Sequence, residues 1–235
     1  DGWVRQWLVE PLQAWVLARK GFRREQVVAL TLLFEGSEDE VALQQQRLRG
    51  VVAEAGGLWS GGSSGRAGYQ LTFSIAYLRD FALSCHVAGE SFESFVAWSR
   101  LDDTIAGLHA RVADEHRAAR LEGRPLVSCR VTQVYEEGVC LYVYLAVSIR
   151  GVDEPCAAYR RLEAAAKDEV VRRGGGSVSH HHGVGKAKAA LLRTWAMSGP
   201  AVRAMAALKR GLDPNNVFAA GNGVLNLTGS LGNVM

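Results

Sequence analysis

Cysteine, long apolar runs, dense basic blocks and histidine are all scarce in this sequence, and each scarcity removes a class of protein. The four cysteines (Cys85, Cys129, Cys140, Cys156) show no CxxC spacing and no framework of a small disulfide-stapled scaffold. They read as reduced, buried thiols in a reducing compartment. No apolar run approaches the roughly 18 residues that a helical membrane span needs. The net charge of +3 and pI near 8.8 suit an anionic substrate. Without a Lys/Arg block or aromatic-basic interleaving, no nucleic-acid partner is expected. No internal repeat is visible. What remains is an ordinary globular composition, 48% apolar and 22% charged, in 235 residues. That length suffices for one large domain or two small ones. The chain starts at Asp1 directly into an amphipathic Trp3/Trp7/Trp15 segment, which reads as the interior of a longer polypeptide.

Periodicity predicts the elements. Residues 2–19 carry apolar positions at helical spacing. Val27 to Phe34 reads as a buried strand, and Ser37-Glu38-Asp39-Glu40 as the capped start of a helix continued by Leu48, Val51, Val52 and Ala55. Gly56 to Gly68 reads as a mobile or ligand-facing loop, Leu71 to Leu83 as helical, and Ser91 to Arg120 as one long helical stretch. Leu126 to Tyr135 and Val139 to Ile149 form a hairpin across Glu136-Glu137-Gly138. In its second strand Leu141, Val143, Leu145, Val147 and Ile149 point one way, and Cys140, Tyr142, Tyr144 and Ala146 the other. The apolar face should pack on helices and leave the tyrosine face free to line a site. Cys156 to Arg173 is a helix ending at the Gly174 to Gly176 triplet. Helices follow over 186–197 and 201–210, the second stopped by Leu212-Asp213-Pro214-Asn215-Asn216, before a Gly/Asn-rich tail from Ala219. This order predicts an α+β layer structure.

Half of the six histidines fall together, in Ser179-His180-His181-His182-Gly183-Val184-Gly185-Lys186. The run is internal and only three residues long, which argues against an expression tag. Imidazole is the side chain that titrates nearest neutral pH, and flanking glycines allow close backbone approach. On an extended segment His180 and His182 would share a side and His181 would oppose them. Two imidazoles are too few for a stable metal site, so no metal is expected. The Gly185-Lys186 pair does not make a phosphate loop, because His180 stands where the Walker pattern needs glycine and Ala187 where it needs Ser or Thr. On their own Tyr142 and Tyr144 read as packing residues rather than acids, while Arg79 and Arg130 are equally readable as surface ion-pair partners.

The histidine run together with Leu212-Asp213-Pro214-Asn215-Asn216-Val217-Phe218 resembles the C-terminal half of flavin-dependent oxidases of the vanillyl-alcohol-oxidase type. Thr31-Leu32-Leu33-Phe34-Glu35-Gly36, Gly89-Glu90-Ser91-Phe92-Glu93 and Ser128-Cys129-Arg130-Val131-Thr132-Gln133 are similar to the alkyldihydroxyacetonephosphate synthase family within them. The resemblance runs over about residues 20–218. It implies the FAD-linked oxidase C-terminal (cap) fold: a ferredoxin-like antiparallel sheet covered by helices, with C-terminal helices returning to an FAD domain. It implies FAD as cofactor, and acyl-dihydroxyacetone phosphate and a long-chain fatty alcohol as substrates. The acyl chain is exchanged for the alcohol through a flavin N5 adduct without net redox change. One proton leaves and returns at the same carbon. Tyr142, in Gly138-Val139-Cys140-Leu141-Tyr142, matches the family's acid/base tyrosine, with His180, His181 and His182 as catalytic neighbours that help it release its proton. Arg79, in Tyr77-Leu78-Arg79-Asp80, matches the phosphate-gripping arginine. His182 and Asn216 would face the cofactor, and Arg130, Thr132 and Gln133 would support the strand behind the site. Val143-Tyr144-Leu145 stands where the family often has Phe-Tyr-Phe, which would reshape the acyl-chain tunnel.

The same resemblance divides the chain into an upstream helix (1–20), a substrate-binding cap (21–198), a segment turned toward the FAD domain (199–218) and a tail (219–235). It implies a homodimer, peripheral membrane association and a peroxisomal home, although Gly232-Asn233-Val234-Met235 is not a Ser-Lys-Leu address. The pyrophosphate and adenosine of FAD would be held mainly by a region upstream, so the 235 residues alone are expected to be inactive. Two rival readings remain: an FAD-dependent 2-hydroxy-acid dehydrogenase or oxidase, and a non-catalytic lipid- or anion-binding module.

Overall fold

The structure, a computed structural model, describes residues 19–23 and 27–222. The helix expected over 2–19 lies outside these apart from its last residue, as does the tail beyond 222. The chain forms two compact units, Asp1–Ile75 and Ala76–Met235.

In the first unit, Ser37 caps helix α1 (Glu38–Glu54). Its hydroxyl accepts from the Glu40 amide while the Glu40 carboxylate accepts from the Ser37 amide at 2.8 Å, the reciprocal capping box predicted from sequence. Val27 to Phe34 is not a buried strand. It is irregular, in neither helix nor strand, with Val28 82% and Leu33 71% exposed. A β-prone run becomes a strand only where a neighbour completes its ladder, and every strand of the sheet lies beyond residue 86. Nor is Gly56 to Gly68 all loop. Helix α2 (Gly61–Ser84) starts inside it, leaving only 55–60 irregular. Once the Leu71 to Leu83 stretch is helical, adding turns is easier than nucleating them, even through glycine and serine. A pocket of about 620 Å³ within this unit is lined by Leu30, Leu33, Val41, Leu48, Trp59 and Tyr69 among others.

The second unit is an α+β layer, as expected. Strands β1 (Val87–Ala97), β2 (Leu126–Val134) and β3 (Gly138–Ser148) form an antiparallel sheet in the order β1-β3-β2. Residues 91–120 are therefore not one helix: the first seven belong to β1, and helix α3 (Leu101–Ala118) starts only after a single 3-10 turn. Phe92, Ser94 and Val96 alternate with Ser91, Glu93 and Phe95. The β3 ladder stabilises that two-residue period over any helical one. Helices α3 and α4 (Pro155–Gly174) cover one face. Leu108 and Val112 of α3 and Leu162, Ala166 and Val170 of α4 pack on Phe92, Val96, Leu141, Val143, Leu145 and Val147, all nearly inaccessible. Each such aliphatic side chain contributes about 1.5–3 kcal/mol by burial. Asp102 and Asp103 begin α3 and His116 and Arg117 end it, matching its dipole. Pro155 opens α4, and Gly175, at φ 62°, closes it in the left-handed conformation that glycine tolerates best.

The helix expected over 186–197 begins late. Gly183 and Gly185 hold φ of 78° and 53°, so Lys186 lies in a turn. Only the short α5 (Ala189–Leu191) and a π turn (Leu192–Ala196) follow. Helix α6 (Gly199–Leu212) is capped by Ser198 and ends at Asp213, whose carboxylate accepts from the amides of Val217 and Phe218. Among the described residues no helix is long and apolar enough to cross a membrane. All four cysteines are free, but only Cys140 is fully buried. Cys85 and Cys156, expected inside, sit at a helix end and a helix start and face solvent.

Candidate active site

The sheet face turned away from α3 and α4 carries the chemistry. Cys140, Tyr142 and Tyr144 project from the central strand, β3. In register beside them lie Ser91 and Glu93 of β1 and Arg130 of β2. Residues 176–182 cross the free edge of β1 to reach this face. Gly176 backs onto the Phe95 carbonyl with no room for a Cβ, so the flanking glycine serves a chain crossing. Ser177 accepts from the Phe95 amide at 3.0 Å, and Ser94 donates to the Ser177 carbonyl.

The segment then curls around one oxygen. Glu93 Oε1 accepts from Ser179 Oγ and from the backbone amides of His180, His181 and His182, each at 2.8 Å. Glu93 Oε2 lies 2.5 Å from His182 Nδ1 and 3.9 Å from Lys188 Nζ, and Lys188 also donates to Ser179 at 2.8 Å. The Glu93 side chain has no solvent exposure. Burial alone would raise its pKa. The His182 amide, the Ser179 hydroxyl, the His181 amide and the Lys188 charge outweigh it and bring the group down to about 2. Burial pushes Lys188 below the usual lysine range, against the pull of Glu93.

This curl corrects the expectation that His181 opposes its neighbours. Three consecutive amides can converge on one acceptor only in a turn, so the three imidazoles gather on one side. The His182 ring meets Tyr142 edge-on, with centroids 5.4 Å apart. Tyr142 Oη lies 3.4 Å from His182 Nε2 and 3.0 Å from Ser91 Oγ. His180 Nε2 is 2.7 Å from Tyr135 Oη, and its Nδ1 is 3.1 Å from His181 Nδ1. The Arg130 guanidinium stands 5.5 Å from the Tyr142 ring centre and 5.7 Å from that of Tyr144. Thr132 sits in a β-bulge between Val131 and Gln133 and donates to the Cys140 carbonyl at 3.4 Å. Such a bulge re-aims the strand beside a site.

Two expected members are not joined to this cluster. Arg79, on α2, pairs with Glu90 at 3.3 Å and with Asp80, and its side chain is 55% exposed. Glu90 shares strand parity with Phe92, on the helix-covered side, whereas Glu93 faces the imidazoles. Asn216 follows α6 at φ 52°, with its Oδ1 buried and unpartnered. Sequence reading missed Glu93, Ser179 and Lys188. The alternation of Ser91, Glu93 and Phe95 was the available signal, hidden by assigning the stretch to a helix.

Among the described residues Cys140, His180 and His181 bring one ligand atom each within 4.8 Å of one another. Zinc held at about 2.0–2.3 Å by each ligand needs its donors roughly 3.5 Å apart and a fourth group. Burial raises the Cys140 thiol pKa, partly offset by the Thr132 hydroxyl.

A sheet with one helix-covered face and one face of phenols, imidazoles and a guanidinium fits a flavoenzyme cap. Residues 4–222 match the family model for FAD linked oxidases, C-terminal domain, and the chain belongs to that family. It is similar to the alkyldihydroxyacetonephosphate synthase of Caenorhabditis elegans, with 37% identity over 98% of this chain and 38% of the relative. The synthase of Trypanosoma brucei brucei shares 23% identity over 94% of this chain and 35% of its own length. A solved alkyldihydroxyacetonephosphate synthase structure superposes with a TM-score of 0.58 at 17% identity, over 78% of this chain and 29% of that one, which supports the fold. The chain thus spans under two-fifths of the curated relatives' length.

FAD is the cofactor of this family, and the residues present fit its ring system. The open face offers aromatic rings for a flat heterocycle, imidazole nitrogens as hydrogen-bond partners and the Arg130 charge. These groups are the rings of Tyr142 and His182 and the guanidinium of Arg130.

Proposed function

We propose that this domain completes the active site of an FAD-dependent alkyldihydroxyacetonephosphate synthase, which exchanges the acyl chain of acyl-dihydroxyacetone phosphate for a fatty alcohol. The observation that carries this reading is the contact of Tyr142 Oη with His182 Nε2 on the open face, backed by buried Glu93. Bound FAD would supply the flavin nitrogen that holds the substrate carbon while carboxylate leaves and alkoxide enters.

The chain's own residues do the proton work. Tyr142 Oη gives its own proton to His182 Nε2 and takes the proton from the reacting carbon, and both transfers reverse when the proton returns to that carbon. The Arg130 guanidinium stands over the ring. His180 and His181 form the wall beside it, His180 held by Tyr135. Arg79 grips the substrate phosphate by exchanging its exposed partner Glu90 for the ligand, a surface ion pair of the kind worth only about 0–1 kcal/mol. A lipid substrate suits peripheral membrane association, homodimerisation and a peroxisomal location, which belong to the same proposal.

Tyr142→Phe in the FAD-loaded protein should lower alkyl transfer by at least about 100-fold, the lower end for a general acid/base, with the flavin spectrum unchanged. Retention of most activity would sink the assignment. Bleaching of the flavin by a 2-hydroxy acid would point instead to a dehydrogenase.

A further inference from the structure

We infer that Glu93 is a positioning residue that sets the tautomer of His182, keeping the proton on Nδ1 and the lone pair of Nε2 aimed at Tyr142. The inference rests on the acid–base reading of Tyr142 and adds a residue and a division of labour to it. The two oxygens of Glu93 do different jobs. Oε1 is satisfied four times over, by Ser179 and three consecutive amides, and builds the turn. Oε2 makes no hydrogen bond of normal geometry among the described residues; its near neighbours are His182 Nδ1, in contact at 2.5 Å, and Lys188 Nζ at 3.9 Å.

An ionised carboxylate oxygen only accepts. A lone pair on Nδ1 at 2.5 Å from Oε2 would set two acceptors against each other beside a fully buried carboxylate. A proton on Nδ1 relieves that clash, and in this tautomer Nε2 is an acceptor 3.4 Å from the Tyr142 hydroxyl. Ser91 Oγ, 3.0 Å from the same hydroxyl, supplies its second partner. Carboxylate, imidazole and phenol thus stand in line, the order in which a buried carboxylate orients a catalytic histidine in hydrolase triads.

Glutamine at position 93 separates the two jobs. Its carbonyl can still accept the amides, while its NH₂ would face His182 Nδ1 and require a lone pair there, moving the imidazole proton to Nε2. We would label the full-length, FAD-loaded protein with ¹⁵N-histidine, identify His182 by its loss in His182→Gln, and read the ring nitrogens in wild type and Glu93→Gln. The expected result is an Nδ1–H tautomer in wild type and an Nε2–H tautomer in the variant. Its kcat should fall at least about 100-fold, with KM for the phosphate-bearing substrate little changed. An Nε2–H tautomer in wild type overturns the inference whether or not the variant folds. A switched tautomer with unchanged kcat overturns it equally. If Tyr142→Phe keeps its activity while His182 holds its proton on Nδ1, the acid–base reading fails and the orientation by Glu93 stands.

Discussion

Glu93 is the residue on which the imidazoles depend, and its ionisation ties the site to pH. Its pKa in the fold, about 2, lies below the roughly 4.3 of an unfolded glutamate. A lowered carboxyl pKa stabilises the fold fully above the unfolded value, and that contribution is lost as pH falls through about 2. The linkage is worth about 3 kcal/mol. Wild-type stability should drop between about pH 4.5 and 2, and Glu93→Gln should flatten that slope. Chemical denaturation across the range measures it, and identical slopes would show that Glu93 is not held ionised. This residue escaped sequence reading for a physical reason. Its donors arrive from 86 to 89 positions further along, and nothing local to Gly89-Glu90-Ser91-Phe92-Glu93 announces them.

The elements differ in how far they could be read. The alternation of β3 was legible because its faces meet different surroundings, helices on one side and a polar site on the other. Capping of α1 was legible because all its partners lie within four residues. Val27 to Phe34 was not, since a strand exists only with a partner. The expected helix after Gly185 ignored two left-handed glycines. The crossing of residues 176–182 over β1 invites a test at this scale. In Gly176→Ala the methyl group would meet the Phe95 carbonyl, backbone against backbone. The chain must lift from the edge, costing roughly 1–3 kcal/mol. The urea midpoint should fall accordingly, and amide exchange at His180 to His182 should accelerate. Unaltered protection there would mean that the edge contact does not hold the loop.

For the whole molecule, the α+β class, the helix-covered sheet and the flavin family were all accessible from the sequence. The association of Tyr142 with the histidine run was accessible through the family resemblance. The contacts of Arg79 with Glu90 and of Glu93 with the histidine turn required the fold. Ring-facing groups alone give FAD little of its usual grip, and the chain covers 38% of its Caenorhabditis relative. The 235 residues by themselves should therefore bind FAD at least about 100-fold more weakly than that full-length relative, a difference of roughly 2.7 kcal/mol or more. Calorimetric titration measures this, and equal affinity would overturn it.

The convergence on Glu93 also has a kinetic meaning. Contacts spanning 86 to 89 residues form only after the intervening hairpin and α4 have docked, since the loop they close is long and its entropy must be met by structure already in place. The histidine turn is therefore among the last features a refolding chain acquires. A partly folded form could have a complete hydrophobic core and still lack the acid–base machinery, so recovery of activity would lag behind recovery of structure.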